Sequence, residues 1–390
     1  MRKLVMIPGP TNVSDRVMNA MISPIISHRS SDFHQLYSEI AEGAQQVFET
    51  TDDTVVLTSS GTGAIEASVV NLVRPGDEVI VPVFGEFGQR LSESIELAGG
   101  KPILIEAPLG EAPTIDSIEE AFEKHKGAKA VYVVCNETST GVRIPWLKHI
   151  GELASKYGTL FVADAVSYLG GDELPVEQWG VDLCVTCSQK CLAAPPGLSL
   201  LSVSKKARKF IQENPPMSKF FDLSNYIRFY ERKKETPFTP SLPLYRAIHE
   251  AILLVLEEGM ERRVQRHKTC ANAFYQGFKA LGLKPLVEEE IRSNTVIAIR
   301  YPQNIDDKRF RKMLDEEFRI TVAGGFGDLA GKIFRVGCMG EISSHHVLAT
   351  LSAVASVLKL QGETVNIDEA LRITTDHLRP LKSLQQPLST

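Results

Sequence analysis

The sequence predicts an α/β fold built on a mostly parallel sheet, followed by a smaller α+β part. Three observations carry this. Seven short apolar runs lie between residues 54 and 203. Amphipathic stretches of helical period separate most of them. Glycine and proline mark most joints, as in RPGDE and GKP. Strands that alternate with helices pair in parallel and are covered on both faces.

The elements follow in order. TVVLTS (54–59), EVIVPV (78–83), KPILIE (101–106), AKAVYVVC (128–135), TLFVAD (159–164), DLCVTC (182–187) and LSLLSV (198–203) read as buried strands. TGAIEASVVNLV, FGQRLSESIELAG, DSIEEAFEKH and WLKHIGELASKY read as the helices between them. From residue 244 to 281 helical periodicity runs on, interrupted at Gly259. NTVIAIRY, a helix over KRFRKMLDEEF, ITVAGG and KIFRVGCMG then suggest a small α+β domain joined by a long helix. The expected division is an irregular arm over 1–16, a large domain over 17–260 and a small domain over 261–390. The polar stretch after about 362 has no evident core role.

The 390 residues suffice for a large core and more than one domain. A net charge of −5 with both signs mixed argues against nucleic-acid binding, which needs a basic face. No apolar run has the length of a membrane span. The opening MRKLVMIPGP is broken by proline and glycine too early for a secretory signal. A cytoplasmic protein with reduced thiols is therefore expected. Three of the six cysteines fall in CVTCSQKC. On a strand, Cys184 and Cys187 point to opposite faces and cannot share a metal. No second Cys or His pair completes a tetrahedral set, so no metal is expected.

In parallel sheets ligands bind beyond the carboxyl ends of the strands. Five strand ends converge on one chemistry. SSGTGAIE (59–66) offers glycines and a helix start suited to an anion, with Ser60 and Thr62 as hydroxyl donors. It lacks the third glycine of the dinucleotide fingerprint and the GK[ST] of a P-loop. GDLAGKI (327–333) also fails as a P-loop. Phe87, in a glycine-lined turn, can stack on a planar ligand. Asp164 ends a buried strand and can hold a cationic ring nitrogen, or cap a helix. Lys190, in SQK between two apolar runs, would have its amine pKa lowered by desolvation and become a nucleophile toward carbonyls. Anion cradle, ring face, ring nitrogen and amine are the needs of pyridoxal phosphate.

The strings IPGPTNV, HRSSDF, SSGTGAIEA, FGEFGQR, NETSTGV, DAVSYLGGDE, SQKCLAAPPGLSLLSVS, TPFTPSLPLY and FRVGCMG resemble the motif series of the class V aminotransferases. The likeness is greatest to the alanine–glyoxylate and serine–pyruvate (serine–glyoxylate) group of archaeal type. It runs from about residue 5 to about 360. It implies fold type I with a seven-stranded sheet and pyridoxal 5′-phosphate as cofactor. By the same resemblance Lys190 is the Schiff-base lysine and proton shuttle, and Asp164 pairs with the pyridinium nitrogen. Phe87 and Val166 flank the ring, and Thr138 reaches its phenolic side. Ser60, Gly61, Thr62 and Gln189 cradle the phosphate. Thr239 reaches the partner subunit's phosphate, which implies a homodimer with shared active sites. Arg335 clamps the substrate carboxylate and Gly9 borders the substrate.

Cys338 and Cys135 stand where relatives often have histidine, and Phe84 replaces a smaller or polar residue; all three bear on pocket polarity. Arg335, between an apolar run and Gly337, is expected to face a crevice. His28 and Arg29 read as entrance or arm-packing residues, His345–His346 as a solvated helix start, and ERKKE (231–235) as an exposed loop. The expected reaction moves the amino group of alanine or serine to glyoxylate or pyruvate by ping-pong chemistry. Other small amino acids and 2-oxo acids, or a bulkier donor such as 3-hydroxykynurenine, are alternatives. So is a desulfurase using Cys338, a kynureninase-like lyase, or a non-catalytic protein on the same fold.

Overall fold

The computed structural model describes residues 3–384. The seven apolar runs form one sheet: β1 (Asp53–Leu57), β2 (Glu78–Val83), β3 (Lys101–Glu106), β4 (Ala130–Val134), β5 (Leu160–Asp164), β6 (Leu183–Cys187) and β7 (Ser199–Val203). Their order across the sheet is β1-β7-β6-β5-β4-β2-β3. All neighbours are parallel except β7, which runs antiparallel to both β1 and β6. A parallel return needs a crossover of a dozen residues or more, usually with a helix. Only residues 188–198 separate β6 from β7, so the chain turns back instead. That short return carries SQK.

The strands alternate inward residues between two cores, as period 2 requires. Val56, Ile80, Val131, Phe161, Cys184 and Leu200 pack into one layer. Val55, Val79, Tyr132, Val162, Val185 and Leu201 pack into the other. Cys184 thus faces one layer, while Cys187 lies against Gly61 on the opposite side. Helices over Gly61–Leu72, Glu86–Leu97, Ile115–Lys124 and Leu147–Tyr157 fall where the periodicity places them.

A separate apolar cluster centres on Phe274, Phe278, Ile297, Phe310 and Phe334. Its sheet joins β8 (Lys284–Pro285), β9 (Val296–Arg300), β10 (Ala323–Gly324) and β11 (Ile333–Gly337) in the order β8-β9-β11-β10. Three expectations are corrected here. The long helix is two helices, Leu242–Glu258 and Met260–Ala280, broken where Gly259 adopts φ +83°. The arm is not irregular: Leu4–Val5 pairs in parallel with Ile320–Thr321, Met6 enters the second core, and Asp15–Ala20 is helical. The stretch after 362 also has a core role. Ala370, Thr374 and Leu378 form a buried i, i+4, i+8 stripe on the helix Ile367–Leu378, whose small and polar members hid it in the sequence.

That stripe closes on Gly277, where an added Cβ would sit 2.3 Å from Thr374 Oγ1 and 2.9 Å from Leu351 Cδ1. Gly277→Val is expected to destabilise the fold by about 1–3 kcal/mol through overpacking, read as a lower urea midpoint. An unchanged midpoint would show that this helix does not pack there. Among the described residues, no helix is long and apolar enough to cross a membrane.

Candidate active site

The return between β6 and β7 is a tight, bonded turn. Ser188 N–H donates to Leu198 O (3.0 Å), Ser188 Oγ to Pro195 O (2.7 Å) and Ala193 N–H to Lys190 O (3.0 Å). Lys190 projects from this turn against the arm, where its Nζ donates to the Pro8 carbonyl. Gly9 is at φ +89°, and a Cβ there would lie 2.5 Å from Lys190 Cδ and 2.7 Å from Nζ. Only glycine lets the arm pass this close. Burial drives the Lys190 amine below its ordinary pKa; Cys187, Cys191 and Asp164 oppose that shift and nearby Arg335 adds to it.

Asp164 ends β5 and accepts from Val166 N–H (3.0 Å). Desolvation pushes its carboxyl up to about 6; the Val166 bond and Lys190 resist, while Glu137 reinforces. A small cleft of about 70 Å³ lies beside it. Gly61, Thr62, Phe87, Asp164 and Val166, all singled out in the sequence, line it together with Arg90. Ser60 caps the helix Gly61–Leu72, its Oγ accepting from Gly63 N–H (3.2 Å). A Cβ on Gly61 would meet Val166 Cγ2 at 3.1 Å, so glycine keeps this wall low.

Arg335 reaches the site from β11 and is only 5% exposed. Its Nε donates to Gly324 O (2.8 Å) and its Nη1 to Thr138 O (2.7 Å). Burial lowers its pKa to about 10, against the pull of Glu137. Thr138 therefore serves with its carbonyl, and its hydroxyl donates to Ser167 Oγ (2.8 Å). Gln189 holds the arm, its carbonyl accepting from Thr11 N–H (3.1 Å). Thr239 is exposed and does not line this chain's own cleft.

Sequence reasoning missed Glu137. Its fully buried carboxylate accepts from Phe87 N–H (3.0 Å), Gly88 N–H (3.1 Å) and both Ser139 donors (2.9 and 2.6 Å). It thereby anchors the first turn of the helix Glu86–Leu97 and aims Phe87 at the cleft. An acid directly after a buried strand, in NETSTG, was the available signal. His267 was missed too. It is fully buried, its Nε2 accepts from Gly340 N–H (3.1 Å), and burial drives its pKa well down.

Residues 12–334 match the family model described as aminotransferase class-V. The chain belongs to the class-V aminotransferases. An uncharacterized aminotransferase of Methanocaldococcus jannaschii is 44% identical over 93% of this chain and 94% of its own. The alanine–glyoxylate aminotransferase of Drosophila melanogaster is 32% identical, covering 96% and 95%. The crystal structure of ureidoglycine–glyoxylate aminotransferase from Bacillus subtilis superimposes with a TM-score of 0.92 at 32% identity, covering 97% of this chain and 98% of that one.

Membership in the class-V aminotransferases implies pyridoxal phosphate, and the chain's own residues fit it. A carboxylate at a strand end, an aromatic wall and a glycine-opened helix start line one cleft, and the desolvated Lys190 amine lies close enough to that carboxylate for the two charges to interact. The sequence departures sit elsewhere in this aminotransferase. Cys135, Cys338 and Phe84 are buried in apolar cores and line no part of that cleft. Cys338 Sγ contacts His267 O (3.8 Å), and burial pushes its thiol pKa far up. That is the reverse of the accessible thiolate a desulfurase nucleophile requires.

Arg29 pairs with Glu235 (2.5 Å) and Thr236 O (2.8 Å), residues outside the arm. ERKKE is exposed over 231–234, as expected, but is not wholly a loop. Its first three residues end a helix, and Glu235 is buried under Arg29 and His34. His345 is exposed, but His346 is half-buried and bonds Ser343 (2.7 Å).

Proposed function

We propose that this aminotransferase moves the amino group of a small amino acid, alanine or serine, to glyoxylate or pyruvate. The observation that carries the reading is a buried Lys190 amine held under the arm at Pro8 and close enough to Asp164 for their charges to interact, together with a buried Arg335 guanidinium anchored on the Thr138 carbonyl. When bound, pyridoxal phosphate supplies an electron sink for the bond broken at the substrate Cα. Lys190, whose amine burial shifts toward the neutral form, takes the proton from Cα. Asp164 stays anionic to hold the ring nitrogen. Phe87 and Val166 confine the ring between them, and Thr138 borders its phenolic side. Ser60, Gly61, Thr62 and Gln189 present hydrogen-bond donors to the phosphate at a helix start.

Arg335 orients the substrate α-carboxylate. Two backbone carbonyls fix its plane and leave N–H groups on both terminal nitrogens for a paired contact. Gly9 brings the arm over Lys190 and helps to keep water off the amine. Thr239 is exposed, so it is free to complete the phosphate site of a partner subunit in a homodimer, as the family resemblance implies. The break at Gly259 supports a division near residue 260, with the arm over 1–16 clasping the small domain. The glyoxylate specificity of the named relatives favours glyoxylate as acceptor.

The test is the visible absorbance of the protein loaded with pyridoxal phosphate. L-alanine or L-serine is expected to convert the yellow form to the amine form, and glyoxylate or pyruvate to restore it, with one amino group moved per subunit. Absence of a visible band after loading would sink the cofactor assignment. Conversion without restoration by any 2-oxo acid would sink transamination of these acceptors.

A further inference from the structure

Phe326 lies in none of the strand-end motifs, yet it stands between three groups of the site. Its ring lies 4.5 Å from the Arg335 guanidinium carbon and meets the Phe87 ring edge-on at 6.4 Å. The Arg90 guanidinium lies 5.9 Å from it. Phe87 comes from the large sheet's second crossover helix, and Arg335 from β11. Phe326 bridges them while remaining 37% exposed. A phenylalanine that open contributes little through its own burial, so core packing does not account for its place.

The loop that carries it is fixed. Leu329 N–H donates to Phe326 O (2.8 Å) and Ala330 N–H to Gly327 O (3.0 Å). Gly325 must be glycine, since a Cβ would fall 2.1 Å from Leu329 O, and Gly327 sits at φ +47°. The ring is therefore a wall and not a swinging flap. It covers one face of Arg335 and closes that face to a carboxylate. Arg90, the other cation nearby, is bound to Glu86 through Nε (3.0 Å) and Nη2 (2.9 Å) and lies over the Phe87 ring. A second substrate carboxylate would meet an aromatic ring and an already neutralised arginine.

We propose that Phe326 walls the side-chain space next to Arg335 and restricts the donor to short 2-amino acids, while Arg90, paired with Glu86, is no free cation there for a side-chain carboxylate, a reading that rests on Arg335 as the carboxylate clamp. Phe326 is then a specificity-determining residue. One methylene too many in such a pocket costs about tenfold or more in kcat/KM.

The experiment compares wild type, Phe326→Leu and Phe326→Ala, each loaded with pyridoxal phosphate and checked for fold by circular dichroism. Donors are alanine, 2-aminopentanoate and aspartate. Phe326→Ala is expected to raise the 2-aminopentanoate-to-alanine ratio of kcat/KM by about tenfold or more, mainly through KM, with Phe326→Leu intermediate. Aspartate should stay poor in all three. Binding of propanoate and hexanoate, followed by calorimetry, reads the same space without turnover. Hexanoate should gain on propanoate in Phe326→Ala. Ratios within twofold of wild type in both measurements, or a wild type that prefers aspartate, would overturn the proposal. Absence of donor activity in all three proteins, wild type included, with the expected binding shift would instead strike the transamination reading.

Discussion

Lys190→Ala is expected to lower the rate of amino transfer by roughly 10⁴-fold, the upper range for removing a positioned general base. The amine is withdrawn from water and held against the arm, so no solvent group replaces it. Folding should survive, because the turn that carries Lys190 is closed by bonds from Ser188 and Ala193 that do not use the side chain. Lys190→Arg separates charge from chemistry. Arginine keeps the positive charge but cannot become neutral, so it is expected to be as inactive as alanine. Single-turnover conversion of the loaded protein by L-alanine, followed by absorbance, measures both variants. Activity of either within tenfold of wild type would mean that another group moves the proton.

Asp164→Asn is expected to weaken binding of pyridoxal phosphate by about 30-fold or more, the loss that follows removal of one partner from a buried charge pair. The wild type should carry a pH signature that the variant lacks. In the free protein, desolvation raises the Asp164 carboxyl to about 6. Pairing with a cationic ring nitrogen stabilises its charged form and lowers that value, so binding expels a proton from the carboxyl. Affinity should therefore be full above about pH 6 and fall by roughly tenfold per unit as pH drops below it. Titration of the ligand's own phosphate affects both proteins alike, so the difference between them isolates Asp164. Equilibrium dialysis of the apoprotein from pH 5 to 8 measures it. Parallel curves for the two proteins would remove Asp164 from the ring nitrogen.

Both residues are legible in the sequence because each follows a strand that the apolar pattern marks. Asp164 closes TLFVA and Lys190 follows DLCVTC. Gly61, Thr62 and Phe87 are legible for the same reason, Val166 only through the family resemblance, and the fold brings all four to one cleft with Asp164. Glu137 is visible there only as one acid among many. Its importance comes from the backbone N–H groups of Phe87 and Gly88, fifty residues away in sequence, that converge on it. Cys135, Cys338 and Phe84 stand out as departures from a motif, and packing places all three in the cores.

The sequence by itself determined the seven strands, the helices between them and the residues at the strand ends. These depend on side-chain periods of 2 and 3.6 and on turn chemistry, which act within about ten residues. Tertiary structure alone decided the reversal of β7, the clasp of the arm on Ile320–Thr321 and the burial of the stripe on the helix Ile367–Leu378. It also decided that Arg335 meets Thr138 and Phe326 stands against Phe87. Those contacts join segments about two hundred residues apart. No local pattern encodes them, because they arise only when two separately packed cores come together.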